Sequence, residues 1–135
     1  MAQFPSEEWV IAAKAKLNDD ARYAQIAKAW EGDIRFVIEP GGPLAEPCWI
    51  YLDLWHGTCR DAYLETPNSA GKKTAFTLKA PYENFAKILQ GELDPMQAML
   101  TRKLVVQGNM AVMMRSVPTV LDFVRCCRAV TDKLD

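Results

Sequence analysis

One histidine and four cysteines are the residues of this 135-residue chain best suited to covalent chemistry. His56 precedes Cys59 by three positions, with Asp53 and Asp61 on either side, so a base, a thiol nucleophile and an orienting carboxylate are close in sequence. Strand alternation would send Cys59 and Asp61 to one face, yet nothing in the spacing brings the His56 ring within reach of the thiol. No oxyanion-hole glycine pattern follows the cysteine either. A small Cys-His hydrolase is therefore the minor alternative, and a lone histidine in a turn reads as solvated. Cys48, Cys126 and Cys127 complete the thiols. No C-x-x-C pair occurs and two are adjacent, which suits neither a mutual disulfide nor zinc, so reduced thiols and no metal are expected. Arg125 and Arg128 could depress the pKa of Cys126 and Cys127, although both thiols read first as packing residues.

Phosphate chemistry has no better footing. Gly41-Gly42 is bounded by prolines, and Gly71-Lys72-Lys73 is a fragment of a Walker pattern without its strand and helix, so no cofactor is expected. Sixteen basic against 17 acidic residues give a net charge of -1, which argues against a nucleic-acid partner. No stretch approaches the ~20 apolar residues of a membrane-spanning helix. Glu7 and Glu8 stand where a signal peptide would be basic, and Asp135 follows Lys133-Leu134 where a peroxisomal address would end in Leu, so a cytoplasmic protein is expected.

The apolar residues say more. Five of the six methionines lie between positions 96 and 114: Met96 and Met99 beside Leu100, then Met110, Met113 and Met114. Both groups follow the i, i+3, i+4 spacing of a helix. Flexible, polarizable thioethers can refit around apolar ligands of differing shape, and the same spacing also serves an ordinary core. Trp49, Tyr51 and Trp55 form an aromatic stripe, either an interaction surface, including a homodimer face, or a patch covered by the amino-terminal helices.

These side chains must be positioned by a mixture of helices and strands. Ser6 can cap a helix with Trp9, Val10, Ala13 and Leu17 on one face, and Asn18 or Asp19 can cap a second running through Tyr23, Ile26, Ala27 and Trp30 to Gly32. From Asp33 the period is two, with Ile34, Phe36 and Ile38 on one face. Cys48 to Trp55 follows with Ile50, Leu52 and Leu54 opposite the aromatics, then Thr58 to Leu64 and a strand carrying Phe76 and Leu78, together an antiparallel meander. Helical spacing returns at Tyr82, Phe85, Ala86 and Leu89. Asp94 and Pro95 open a short helix, Lys103 to Gln107 is a fifth strand, and Met110 to Arg115 is a further helical stretch. In the terminal helix Val117, Val120, Leu121, Val124, Cys127 and Val130 form an apolar face, with Asp122, Arg125, Arg128 and Asp132 on the wet side. The whole reads as one α+β domain of residues 1–135, its sheet covered on one side.

The segment Gly91-Glu92-Leu93-Asp94-Pro95-Met96-Gln97-Ala98-Met99-Leu100-Thr101-Arg102-Lys103-Leu104-Val105-Val106-Gln107-Gly108-Asn109-Met110 resembles the signature of the sterol carrier protein 2 family. There a helix opened by Asp or Asn before Pro leads through a glycine turn into a Lys-Leu strand and a closing Gly-Asp. Here Arg102 replaces the glycine, and Asn109 replaces the aspartate while still suiting a helix cap. The resemblance implies a five-stranded, mostly antiparallel sheet under helices, with an apolar tunnel that holds a lipid without reacting. Its expected walls are Phe36, Ile50, Leu52, Leu54, Phe76 and Leu78 from the sheet and Phe85 and Leu89 from the next helix. The methionine segment adds Met96, Met99, Leu100, Met110, Met113 and Met114, and the terminal helix Val117, Leu121 and Val124. The ligand would be a fatty acid, a fatty acyl-CoA, or a sterol-like or isoprenoid lipid. The competing expectation is an accessory subunit that binds no lipid and docks on a lipid-modifying enzyme.

Overall fold

A computed structural model describes residues 2–65 and 73–132. Most of the expected loop from Pro67 to Lys73, the Gly71-Lys72 pair and the end from Lys133 lie outside the described residues. Helix α1 (Glu7–Asp19) starts where the Ser6 hydroxyl accepts the Trp9 N–H at 3.0 Å, and it buries Trp9, Val10, Ala13 and Leu17. Helix α2 (Ala21–Ile26) is capped by Asp20 rather than Asn18 or Asp19, and it stops well short of Trp30. The physical reason lies in the sheet. The Trp30 carbonyl accepts the His56 N–H at 2.7 Å, and its indole donates to the Gly32 carbonyl at 2.9 Å, so the chain is already committed to strand β1 (Glu31–Glu39).

Strands β2 (Cys48–Trp55) and β3 (Thr58–Glu65) follow, then β4 (Phe76–Pro81) and β5 (Val105–Gln107), in the sheet order β3-β2-β1-β4-β5. Three of the four pairings are antiparallel. The meander ends at β3, because β2 occupies one edge of β1 and β4 takes the other, parallel to it. Ile34 opposite Leu52 and Phe36 beside Ile50 and Leu78 set one continuous apolar face. The β2–β3 turn has positive φ at both central residues, 51° at His56 and 81° at Gly57, the geometry of a two-residue hairpin loop. A β-carbon on Gly57 would stand 2.5 Å from the Ala24 carbonyl oxygen, so the turn also needs glycine for the close approach of α2.

Helices α3 (Tyr82–Gln90), α4 (Pro95–Leu100), α5 (Met110–Arg115) and α6 (Val117–Ala129) complete the chain. Asp94 accepts the Met96 and Gln97 N–H groups at 2.8 and 3.0 Å with Pro95 at the first helical position, and Asn109 caps α5 through Val112 at 3.2 Å. Arg102 has φ 60°, so the left-handed turn usually given to glycine is present here under an arginine. The fifth strand is shorter than expected. Leu104 turns into the core and spends its N–H on the Ala98 carbonyl, which leaves pairing to begin at Val105. Among the described residues no helix is long and apolar enough to cross a membrane.

Helix α6 is rotated from the expected setting. Asp122, assigned to the wet side, is buried with Phe123, Cys126 and Cys127, while Leu121 is 41% exposed. Ion pairing makes this burial possible: Asp122 meets Arg125 at 2.7 Å and Arg22 at 3.3 Å, so its charge is compensated.

Candidate functional site

Between the apolar face of the sheet and the helices lie two small hollows. The first, of about 50 Å³, is bordered by Phe4 and Trp9 from the amino-terminal segment, by Phe36 and Leu78 from the sheet, and by Phe85, Ile88 and Leu89 from α3. Pro95, Met99 and Leu104 close one side, and Val120, Phe123, Val124 and Cys127 of α6 close another. The second, of about 40 Å³, lies among Tyr23, Trp30, Ile34, Leu54, Met113 and Thr119. Leu78, Met99, Val120 and Phe123 border both, so these four side chains form a partition. Phe123 stands edge-on to Phe36 at 6.1 Å. These volumes do not show the expected tunnel: each hollow is far below the ~300–1,000 Å³ of typical ligand pockets. The large side chains of Met99 and Phe123 occupy the junction.

The expected wall residues divide accordingly. Phe36, Leu54, Leu78, Phe85, Leu89, Met99, Met113 and Val124 border the cavities. Ile50, Leu52, Phe76 and Met96 are buried in the core without bordering either, and Val117 packs half-buried against it. Leu100, Met110, Met114 and Leu121 are exposed, at 64%, 37%, 39% and 41%, and so point away. Helical spacing selects a face but not its width: Leu100, Met114 and Leu121, the i+4 members of their groups, fall outside the buried arc, and Met110 stands in the exposed first turn of α5. Ile34 is readable from the period-two run of Ile34, Phe36 and Ile38, whereas the helical spacing of Tyr23, Ile26, Ala27 and Trp30 hides Trp30. Phe4 and Leu104 carry no periodic signal.

The thiol and imidazole are not brought together. The His56 ring is bonded to Glu31 at 2.6 Å, half exposed and stacked on Trp55. Cys59 is buried, donates to the Asp61 carbonyl at 3.3 Å, and has its pKa pushed up to about 12 by burial, which keeps it a neutral thiol. Cys126 is pushed up to about 11, burial outweighing Arg125, and burial also holds Cys127 well above its ordinary value. The arginines therefore do not activate these thiols. Asp20, Asp122 and Cys126 place their ligand atoms within 4.8 Å of one another, but Arg125, Arg22 and Lys16 already bind the two carboxylates, so the cluster is an ion-pair knot.

The aromatic stripe lies on the far face of the sheet. The buried residues of α1 and α2 join the cluster on the Ile50 and Leu52 face, which Tyr51 does not enter, so the amino-terminal helices do not cover it. Tyr51 is buried through its bond to Asp33 at 2.9 Å and its stacking on Tyr63, while Trp55 is exposed beneath the Arg60 guanidinium.

A mixed five-stranded sheet with its helices gathered over one apolar face defines an α+β domain hollow beneath those helices. The chain belongs to the SCP-2 sterol transfer family, whose sequence model matches residues 12–120. A crystal structure of sterol carrier protein 2 is similar at 27% identity with a TM-score of 0.83, covering 93% of this chain and 98% of that one. A conserved hypothetical protein of Thermus thermophilus, described as possibly a sterol carrier protein, is similar at 26% identity and a TM-score of 0.83, covering 96% of this chain and 91% of that one. The sterol carrier protein 2 of Aedes aegypti, solved in complex with palmitate, shares the fold at 17% identity and a TM-score of 0.52, with 87% and 96% covered. Among curated proteins none matches the chain.

Proposed function

We propose that the chain is a lipid-binding and lipid-transfer domain, which holds a fatty acid, acyl-CoA, sterol-like or isoprenoid molecule between sheet and helices and catalyses no covalent reaction. The observation that carries this reading is the partition. Two apolar cavities share Leu78, Met99, Val120 and Phe123 as walls, and rotation of the Met99 thioether and the Phe123 ring would join them. Each methylene taken into that space contributes about 0.8 kcal/mol, reduced by the cost of ordering the chain, so affinity grows with chain length. Membership of a sterol transfer family and the palmitate held by the Aedes aegypti protein support the same reading. Free cysteines at positions 48, 59, 126 and 127 fit a reducing compartment, and we place the protein in the cytoplasm.

Native mass spectrometry and solvent extraction of freshly purified protein test the proposal, with one copurified lipid per chain expected. Affinity for fluorescent fatty acids should rise with chain length, and His56→Ala and Cys59→Ala should leave it intact. A ligand-free preparation with flat affinity across chain lengths would overturn the reading in favour of an accessory subunit. Such a subunit would dock through the face of Trp49, Tyr51 and Trp55 or through the terminal helix, and the same spectra report any dimer formed by the aromatic face.

A further inference from the structure

A third hollow, of about 450 Å³, opens where the end of α2, the start of β1 and the α5–α6 junction meet. Ile26, Ala29, Val112 and Pro118 line it with apolar surface, and Glu31, Arg115 and Ser116 add polar groups. Trp30 and Thr119 border both this hollow and the 40 Å³ cavity, so these side chains stand between the surface and the apolar interior. Trp30 is held by its indole bond to Gly32, and the Thr119 hydroxyl donates to the Ile26 carbonyl at 3.3 Å across the opening. The three spaces therefore follow in series: the open hollow, the cavity behind Trp30, and the cavity behind Phe123.

The charges at the opening are unequal in their commitments. Glu31 is engaged by His56 at 2.6 Å, and Ser116 donates to the Val112 carbonyl at 2.8 Å. Arg115 is exposed and makes no ion pair among the described residues. Its planar fork of donors is the group best matched to a carboxylate or phosphate, and it stands where polar groups line the outer hollow of an apolar series.

We propose that this hollow is the mouth of the lipid site and that Arg115 holds the anionic headgroup there, while the chain passes Trp30 and Thr119 into the interior. The inference rests on the lipid-binding reading above and adds to it an entrance and a residue that selects, among those lipids, single chains with an anionic head. It explains how a site with apolar walls could prefer one amphiphile over another: the chain supplies area, and the head supplies direction.

The test measures dissociation constants of delipidated protein for palmitate, hexadecyl phosphate and methyl palmitate below their micellar concentrations, for the native chain, Arg115→Glu and Arg115→Lys. The native chain should prefer an anion to the neutral ester. Arg115→Glu should weaken that anion about tenfold and leave the ester unchanged, and Arg115→Lys should keep most of the preference. A loss confined to palmitate assigns a carboxylate ligand, and one confined to hexadecyl phosphate a phosphate. Equal weakening of all three ligands, or none, overturns the assignment of Arg115 while lipid binding stands. If the native chain binds none of them, the lipid-binding reading fails and this inference with it. Thermal melts check that the exposed substitutions leave the fold intact.

Discussion

Along one side of α6, Val120, Phe123, Val124 and Cys127 border two hollows; along the other, Asp122 and Arg125 join Asp20, Arg22 and Lys16 in a knot of ion pairs between 2.7 and 3.3 Å. The same helix is thus held by directional bonds on one side and by undirected apolar contact on the other. A charged pair loses most of its value when its geometry is disturbed, so the knot fixes where α6 lies against α1 and α2. Apolar packing tolerates a small void at modest cost, so the opposite side can yield space to a ligand without releasing the helix. Directional bonds also anchor α1 to the end of α6 and to β3. The Trp9 indole donates to Thr131 at 2.8 Å, Thr131 donates to the Cys127 carbonyl at 2.6 Å, and Asn18 pairs with the backbone of Cys59 at 2.9 and 2.7 Å.

The strongest way to break this contrast is Phe123→Ala, which removes the ring between the cavities and should destabilise the ligand-free protein by about 3–5 kcal/mol. Palmitate should then raise the melting temperature of the variant more than that of the native chain, because the merged space accepts a longer chain. An equal rise in both would mean that Phe123 is not a partition. On the other side of the helix, Asp122→Ala leaves Arg125 and Arg22 without their buried partner and should cost about 2–3 kcal/mol in urea unfolding, with no change in chain-length preference. A shifted preference would show that the two sides are not independent.

The knot also carries a pH dependence. Arg125 first, then the Tyr23 N–H and Lys16, hold the Asp20 carboxyl below its ordinary value of 3.8. A lowered folded-state value means that stabilisation is present in full above the unfolded value and is lost as the pH falls through the folded one. Unfolding followed on acidification below about pH 4 should therefore show a loss of stability that Asp20→Asn makes shallower. A native-like slope in that variant would remove the knot from the acid response.

Smaller effects sharpen the picture. Met113→Leu keeps volume and apolarity beside the 40 Å³ cavity, so stability should move by less than ~1.5 kcal/mol while ligand preference shifts. Met113→Trp overfills the same space and should cost about 1–3 kcal/mol and block uptake, both read from melts and lipid titration. Smallest of all, Arg102→Gly relieves a left-handed residue at the cost of a freer unfolded chain and should stabilise by roughly 0.5–1 kcal/mol, seen as a higher urea midpoint. No gain there would mean that Arg102 is held by interactions beyond its backbone.

Local chemistry made much of this fold legible in the amino-acid order. The caps at Ser6, Asp94 and Asn109, the bounds of β2 and the stretch from Met110 to Arg115 follow from interactions within a few residues, which composition and period encode directly. The strand from Ile34 to Ile38 and the face of Ile50, Leu52 and Leu54 follow equally from the period of two. Only the tertiary structure decided that Trp30 leaves the helical run, since the bond that claims its carbonyl comes from His56 across the β2–β3 turn. It alone also placed Asp122 inside, where cations from α2 and α6 compensate a charge that periodicity would leave in water. The cavities belong to the same category. They are the space left where Phe4, Met99, Leu104 and Phe123 meet from distant parts of the chain, and an absence of atoms has no residue of its own to announce it.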